Sequence, residues 1–264
     1  AVSLIADVLA LARGAGEILA GRYGKLRRSD ATRKEGWRDL VSEADLASQR
    51  YLLERIPASD DVLAEEGSDR DTGARRKWVI DPLDGTVNFL HGIPFWAVSI
   101  AVVEDGALKA GVVHAPRLDQ TFAAEAGGGA TLNGEPIRVS AAATLKESIV
   151  ATGFAYRRNE LKDHNLDNFT TIAFAVAGIR RLGAASLDLA YVAAGRLDGF
   201  WELHLNPWDV AAGALLVREA GGRVTDFRGD EGLEGILFRR HVVASNGVVH
   251  DEIRGKLAPL KELA

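Results

Sequence analysis

The chain has 264 residues, 47% of them hydrophobic, and a formal net charge of -5 at pH 7. That is ample apolar material for one large domain or two closely packed ones, and the acidic balance excludes the basic face that a nucleic-acid binder needs. There is no cysteine, which rules out a disulfide framework, a zinc-thiolate site and a cysteine nucleophile, and a cytoplasmic setting is expected.

The first stretch, AVSLIADVLALARGAGEILAG, places Leu4, Val8, Leu11, Ala15, Ile18 and Leu19 at helical spacing. It reads as an amphipathic helix rather than a leader, because Asp7, Arg13 and Glu17 interrupt it and no basic region precedes it. No apolar run is long enough to span a bilayer. After a polar stretch, DLVSEADLASQRYLLERI predicts a second helix with Leu46, Leu52, Leu53 and Ile56 inside. Ser42 and Asp45 have the spacing of a capping pair, and Pro57 closes the segment. Strand-type runs follow at 62–64, 78–80 and 97–104, and Asp105-Gly106 is a hairpin turn leading into ALKAGVVHA and QTFAAEA. Asn133-Gly134 marks another turn.

From Glu147 the pattern changes. SIVATG reads as a strand, 159–177 as a helix, GIRRLG as a connecting piece and SLDLAYVAAG as a helix. Then come the strand GFWE, the helix DVAAGALLVREA, the strands GRVTDF and HVVASN, and a last helix over 251–263 that Pro259 bends or shortens. The expected class is α/β: an α+β half over 1–146, an α/β half over 147–264, and one body.

The stretch WVIDPLDGTVNF at 78–89 leaves an apolar run and at once places Asp81, Asp84 and Gly85. A strand ending in Asp-Pro stops pairing. The turn can then bring Asp81, Asp84 and the Leu83 carbonyl together, a set that suits a hard cation. A helix starting at Gly85-Thr86 would add an anion site. Asp-Pro and Asp-Gly are also ordinary turn chemistry. The same ambiguity holds elsewhere. Of Glu65 and Glu66 after the strand VLA, one ligates a cation and the other faces solvent, or the pair is a solvated surface. Asp209 is a ligand or a helix N-cap, and Asp45 a functional acid or a first-turn one. The histidines show no ligand spacing. GGGA at 127–130 opens no clear helix and is not a dinucleotide fingerprint.

Taken together, WVIDPLDGTVNF continuing to Pro94, and WDVAAG at 208–213 continuing to EAGG at 219–222, resemble the two motifs of the inositol monophosphatase family. These are magnesium-dependent, lithium-sensitive phosphatases, and the resemblance covers nearly the whole chain. It implies a layered αβαβα sandwich, commonly a homodimer. By similarity, Glu65, Asp81, the Leu83 carbonyl, Asp84 and Asp209 bind up to three magnesium ions, with Asp81 bridging two; manganese substitutes for magnesium. Thr86, bonded to Asp45, orients the attacking water near the Glu65 site. The N–H groups of Gly85 and Thr86 hold the phosphate. Gly183, Ala184 and Ala185 line the substrate pocket, Glu202 accepts from substrate hydroxyls, and Lys34 sits near the mouth. His204 contacts substrate or fills space. The implied activity is hydrolysis of inositol monophosphate or a related polyol or sugar phosphate. Fructose bisphosphatase, histidinol-phosphate phosphatase and nucleotide phosphatase are the alternatives of the same chemistry, and a regulatory protein on this fold is the alternative of another class.

Overall fold

The structure, a computed structural model, describes residues 3–34 and 39–261. The first helix, α1 (Leu4–Arg22), buries Val8, Leu11, Ala15 and Leu19 along one stripe, as the helical spacing predicts. A two-stranded ribbon, β1 (Thr32–Arg33) and β2 (Leu40–Val41), leads into α2 (Glu43–Leu53). Ser42 caps α2: its Oγ accepts from the Ala44 N–H at 3.2 Å, and Asp45 accepts from the Ser42 N–H at 2.8 Å. Two of the expected apolar positions differ. Leu46 is 46% exposed, on the solvent side, and Ile56 is buried but lies beyond the helix end.

Seven strands form the first large sheet. They are β3 (Asp61–Ala64), β4 (Arg76–Asp84), β5 (Ala97–Glu104), β6 (Ala107–Ala115), β7 (Gln120–Glu125), β8 (Gly129–Leu132) and β9 (Glu135–Ile137), with the short helix α3 (Thr86–Leu90) after β4. Their order in the sheet is their order in the chain. The pair β3–β4 is parallel and the other pairs are antiparallel. Side chains alternate along β5. Val98, Ile100 and Val102 join the core under α1 and α2, while Ala97 and Ala101 join the core on the opposite face. The strand expected to stop at Asp81 continues. Asp81 lies opposite Ser99 and Asp84 opposite Ala97, so the ladder is interrupted by a bulge and then resumes. Pro82 removes only its own donor, and the backbone recovers within two residues.

The rest of the chain gives β10 (Ile149–Thr152), α4 (Leu166–Ala173), β11 (Gly178–Arg180), α5 (Ala185–Ala193), β12 (Gly199–Leu203), α6 (Pro207–Glu219), β13 (Arg223–Thr225), α7 (Leu233–Phe238), β14 (His241–Ser245) and α8 (His250–Lys256). Five of these strands form a sheet in the order β11-β10-β12-β14-β13, parallel around β10 and antiparallel around β14. Three expectations are corrected here. The helix expected over 159–177 shortens to α4, because Asn165 adopts φ +69 just before it. The piece GIRRLG contains the edge strand β11. The helix expected over 251–263 ends at Lys256, with Leu257 extended ahead of Pro259; residues 262 and 263 lie outside the described residues.

The elements stack as α1 and α2, the seven-stranded sheet, α5 and α6, the five-stranded sheet, then α4 and α8. This is the layered αβαβα sandwich. Small residues set the spacing of its middle layer. A Cβ at Gly111 of β6 would lie 3.1 Å from the Ala212 backbone of α6, so the helix rests almost directly on the sheet. Among the described residues no helix is long and apolar enough to cross a membrane.

Candidate active site

The bulged end of β4 meets the start of α6. One carboxylate oxygen each from Asp81, Asp84 and Asp209 lies within 4.8 Å of the other two. Each acid is held by backbone N–H groups. Asp81 Oδ1 accepts from Leu83 at 2.9 Å. Asp84 Oδ2 accepts from the Ser186 N–H at 2.8 Å and from the Ser186 hydroxyl at 2.5 Å, which ties β4 to α5. Asp209 Oδ2 accepts from Asn206 at 2.6 Å in a capping box, so the N-terminal helix acid is also a member of the cluster.

The electrostatics of this cluster call for a cation. Burial raises the Asp81 carboxyl well above the usual range, and the charges of Glu65, Asp84 and Asp209 raise it further. Burial pushes Asp84 up to about 6, against the Ser186 hydrogen bonds. Asp209 is raised well above its ordinary value by burial and then by Asp84 and Glu65. Buried like charges this close do not all ionise without a counter-ion. The oxygen-only set suits a hard divalent cation, and it contains no histidine.

Beside the cluster, Gly85 takes φ +88, and a Cβ there would lie 3.0 Å from the Phe95 carbonyl oxygen and 3.3 Å from Ala184. Only glycine meets both conditions. The helix that follows, α3, has five residues, so its macrodipole is small and an anion here would rely on individual N–H groups. Thr86 Oγ1 donates to Asp45 Oδ1 at 2.8 Å and lies 3.1 Å from the Leu83 carbonyl oxygen. Asp45 is fully buried. Burial pushes it up to about 6, opposed by the Ser42 and Thr86 hydrogen bonds. Both readings of Asp45 hold as geometry, because Oδ2 serves the α2 cap and Oδ1 serves Thr86.

Glu65 and Glu66 differ from expectation. Lys34 Nζ lies 3.1 Å from Glu65 Oε1 and 2.5 Å from Glu66 Oε1. The Glu66 side chain is only 5% exposed, so it does not face solvent. Burial and the Glu65 charge push Glu66 up to about 7, against Lys34. Burial alone would lower Lys34, but the two acids raise it above its ordinary value. Glu65 stands outside the three-acid cluster, although it lines the same cavity.

That cavity has a volume of about 290 Å³. Leu83, Gly85, Thr86, Gly183, Ala184, Ala185 and Glu202 line it together with the acids of the cluster. Of the residues expected at the site from the sequence, Asp45 and Lys34 are not in its lining: Asp45 stands behind Thr86, and Lys34 lies against Glu65 and Glu66. Burial pushes Glu202 up to about 8, with the Arg181 charge opposing and the Asp84 charge adding to the rise. A Cβ at Gly153 would fall 2.1 Å from the Glu202 carboxylate oxygens, so this glycine makes room for the acid. His204 also lines the cavity, with Nε2 3.0 Å from the Asp163 carbonyl oxygen. The GGGA turn has a structural partner: Gly127 and Gly129 N–H groups each donate to Glu219 at 2.9 Å.

Sequence reasoning missed Ser186, Gly153, Arg181 and Asp188, all placed at this site by the fold. Asp188 carries a readable signal, the one acid in the alanine- and leucine-rich helix α5.

The comparisons with known proteins agree with this geometry. The model of the inositol monophosphatase family matches residues 3–262. The chain is 42% identical over 246 residues to a fructose-1,6-bisphosphatase/inositol-1-monophosphatase from Thermotoga maritima, covering 92% of this chain and 91% of the relative. It is 44% identical over 246 residues to the Nus factor SuhB of Pseudomonas aeruginosa, covering 90% and 89%. The structure superposes on the crystal structure of the extragenic suppressor protein SuhB from Bartonella henselae with a TM-score of 0.87 at 39% identity, over 96% and 97% of the two chains. Both family motifs fall on the two elements that supply the acid cluster, β4 and α6, and the match spans the described fold from end to end: the chain belongs to the inositol monophosphatase family.

Proposed function

We propose that the chain is a divalent-cation-dependent phosphomonoesterase acting on inositol monophosphate or a related small polyol or sugar phosphate. One observation carries this reading. Thr86, paired with Asp45, and the Asp81, Asp84 and Asp209 cluster open into a single cavity of about 290 Å³ that Glu202 also lines.

In this reading Asp81, Asp84 and Asp209, with Glu65 and the Leu83 carbonyl alongside, hold two to three magnesium ions, and manganese substitutes. When bound, the cations supply Lewis-acid charge for the phosphoryl and leaving oxygens. The protein groups do the rest. Gly85 and Thr86 N–H groups fix the phosphate where charge develops. Asp45 accepts the Thr86 hydroxyl proton in a hydrogen bond, which turns a Thr86 lone pair toward a water. As the water oxygen attacks phosphorus, its proton moves to Thr86 Oγ1 and the Thr86 proton moves to Asp45 Oδ1. The P–O bond to the polyol breaks, and the released alkoxide takes a proton from solvent. A proton acceptor near 6 is well matched to neutral pH. Glu202 and the 183–185 stretch take the polyol. A division into halves at 1–146 and 147–264, a homodimer, a cytoplasmic setting and lithium inhibition belong to the same proposal.

The test is phosphate release from a panel of inositol, fructose, histidinol and nucleotide phosphates, with magnesium and with a chelator. Release that needs magnesium and favours a polyol phosphate is expected. Equal release in excess chelator overturns the reading. Lithium should inhibit at concentrations where sodium does not. A second reading, a Nus-factor role, is favoured by the identity to the Pseudomonas aeruginosa protein; it predicts function in a variant that has lost phosphate release.

A further inference from the structure

Helix α5 has the sequence ASLDLAYVA. Its first polar residue, Ser186, is accounted for by the two hydrogen bonds to Asp84. Asp188 is not. It is 1% exposed, and its Oδ1 has no hydrogen-bond partner. An unmet buried carboxyl oxygen destabilises a fold, and a native protein that keeps one does so for a reason found outside its own packing. An apolar residue of similar size would suit an alanine- and leucine-rich helix better. Asp188 also lines the cavity, as do Glu202 and Arg181.

We propose that Asp188 is a specificity-determining residue, whose carboxyl takes a hydroxyl of the substrate's polyol part beside the one taken by Glu202. The chain would then select phosphates that carry two hydroxyls toward α5 and β12 over phosphates without them. This deepens the phosphomonoesterase reading and rests on it. Arg181 lowers the cost of keeping two acids together, since its charge opposes the upward shift of both. Burial, and then the Glu202 and Asp84 charges, hold the Asp188 acid well above the usual range, so it can offer a proton as well as lone pairs. A hydroxyl, which both donates and accepts, is the complementary group.

The experiment uses the full chain with magnesium, myo-inositol 1-phosphate and p-nitrophenyl phosphate. Wild type, Asp188→Leu and Asp188→Asn are compared for kcat/KM on both substrates and for Tm. Asp188→Leu should have an unchanged or raised Tm, because Oδ1 has no hydrogen-bond partner to lose and the unfavourable charges of Glu202 and Asp84 outweigh that of Arg181. Its kcat/KM ratio, inositol phosphate over aryl phosphate, should fall at least about tenfold. Asp188→Asn, which keeps one carbonyl oxygen and the shape, should recover part of that loss. A lowered Tm with both substrates reduced by one factor means a structural role and overturns the proposal. If Asp188→Leu does not fold, the ratio in Asp188→Asn decides, and an unchanged ratio overturns it. If the wild type hydrolyses neither substrate, the phosphomonoesterase reading fails and this inference with it. If it hydrolyses both and the variants keep its ratio, only the Asp188 assignment fails.

Discussion

Thr86 Oγ1 and Asp45 Oδ1 are 2.8 Å apart although 41 residues separate them in the chain. The capping box of α2 holds the acid, and the bulged end of β4 delivers the hydroxyl. Replacing Thr86 by Ala removes the hydroxyl and leaves every acid of the cluster and every backbone N–H in place. The expected result is a kcat lower by roughly a hundredfold or more, the size of lost acid–base assistance, with little change in cation or phosphate binding. Thr86→Ser should restore much of the rate. A variant with near-native kcat and only a lower Tm would reduce Thr86 to a packing residue, and would remove the reason for assigning Asp45.

The same pair sets the acid side of the pH profile. Asp45 has to be ionised to accept the Thr86 proton, and its carboxyl is pushed up to about 6 by burial. A bound cation nearby lowers that value, so kcat/KM should fall on acidification with a limb at or below about pH 6. Activity that rises as the pH drops below 6 would mean that the protonated acid is the working form.

The acids were legible from residue order as turn and cap residues, for a local reason; that they belong to one site came from the resemblance of the two motifs to those of the family. WVIDPLDG and NPWDV each place an acid where a regular element begins or ends, and backbone geometry there depends on a few neighbours. Helix α1, the β5–β6 hairpin and α6 were legible for the same reason, since their periodicity is intrinsic. What was hidden depends on distant partners. Glu66 reads as solvated until Lys34, 32 residues away, is found beside it. The strand β11 has three residues and exists only because β10 offers it an edge. Gly153 shows no turn signal, and its meaning comes from the Glu202 carboxylate that occupies its missing side-chain space.

Cation binding should depend on the charge of Asp209 rather than on the volume of its side chain. Asp209→Asn keeps the volume and an oxygen for the Asn206 N–H but removes a charge from the cluster. Magnesium affinity, measured by calorimetry, should drop at least about tenfold, in the direction expected when one hard anionic ligand is lost. Unchanged affinity would place the cation elsewhere.

Gly153 offers a test of Glu202 that leaves its chemistry intact. Gly153→Ala would put a methyl group 2.1 Å from the present carboxylate oxygens, so the acid must move. Glu202→Gln keeps the position and the shape and removes the titratable carboxyl. Both should raise KM for a polyol phosphate more than for an aryl phosphate. If the two substrates suffer equally in both variants, Glu202 supports the site as a whole and does not select the substrate.

Stability against pH exposes the crowded acids directly. Glu202 is raised to about 8 and Glu66 to about 7, each chiefly by burial. In the unfolded chain both are ionised above roughly pH 4.5. Between those limits the folded state therefore holds more protons than the unfolded state, and stability falls as pH rises. The histidines act in the opposite sense and lower down. His114 and His250 are depressed to about 4 by burial, so they cost stability as pH falls below about 6.5 and contribute nothing above it. The window from pH 6.5 to 8.5 thus isolates the acids. In chelator, Tm should fall across it. One pKa unit corresponds to about 1.4 kcal/mol, which for a chain of this size is a few degrees for each group. Glu202→Gln should flatten the slope, and magnesium should raise Tm most at the alkaline end, where the carboxylates of the cluster are ionised and free to bind it. A Tm that rises with pH in chelator would contradict the reading of Glu202 and Glu66 as acids that burial keeps protonated.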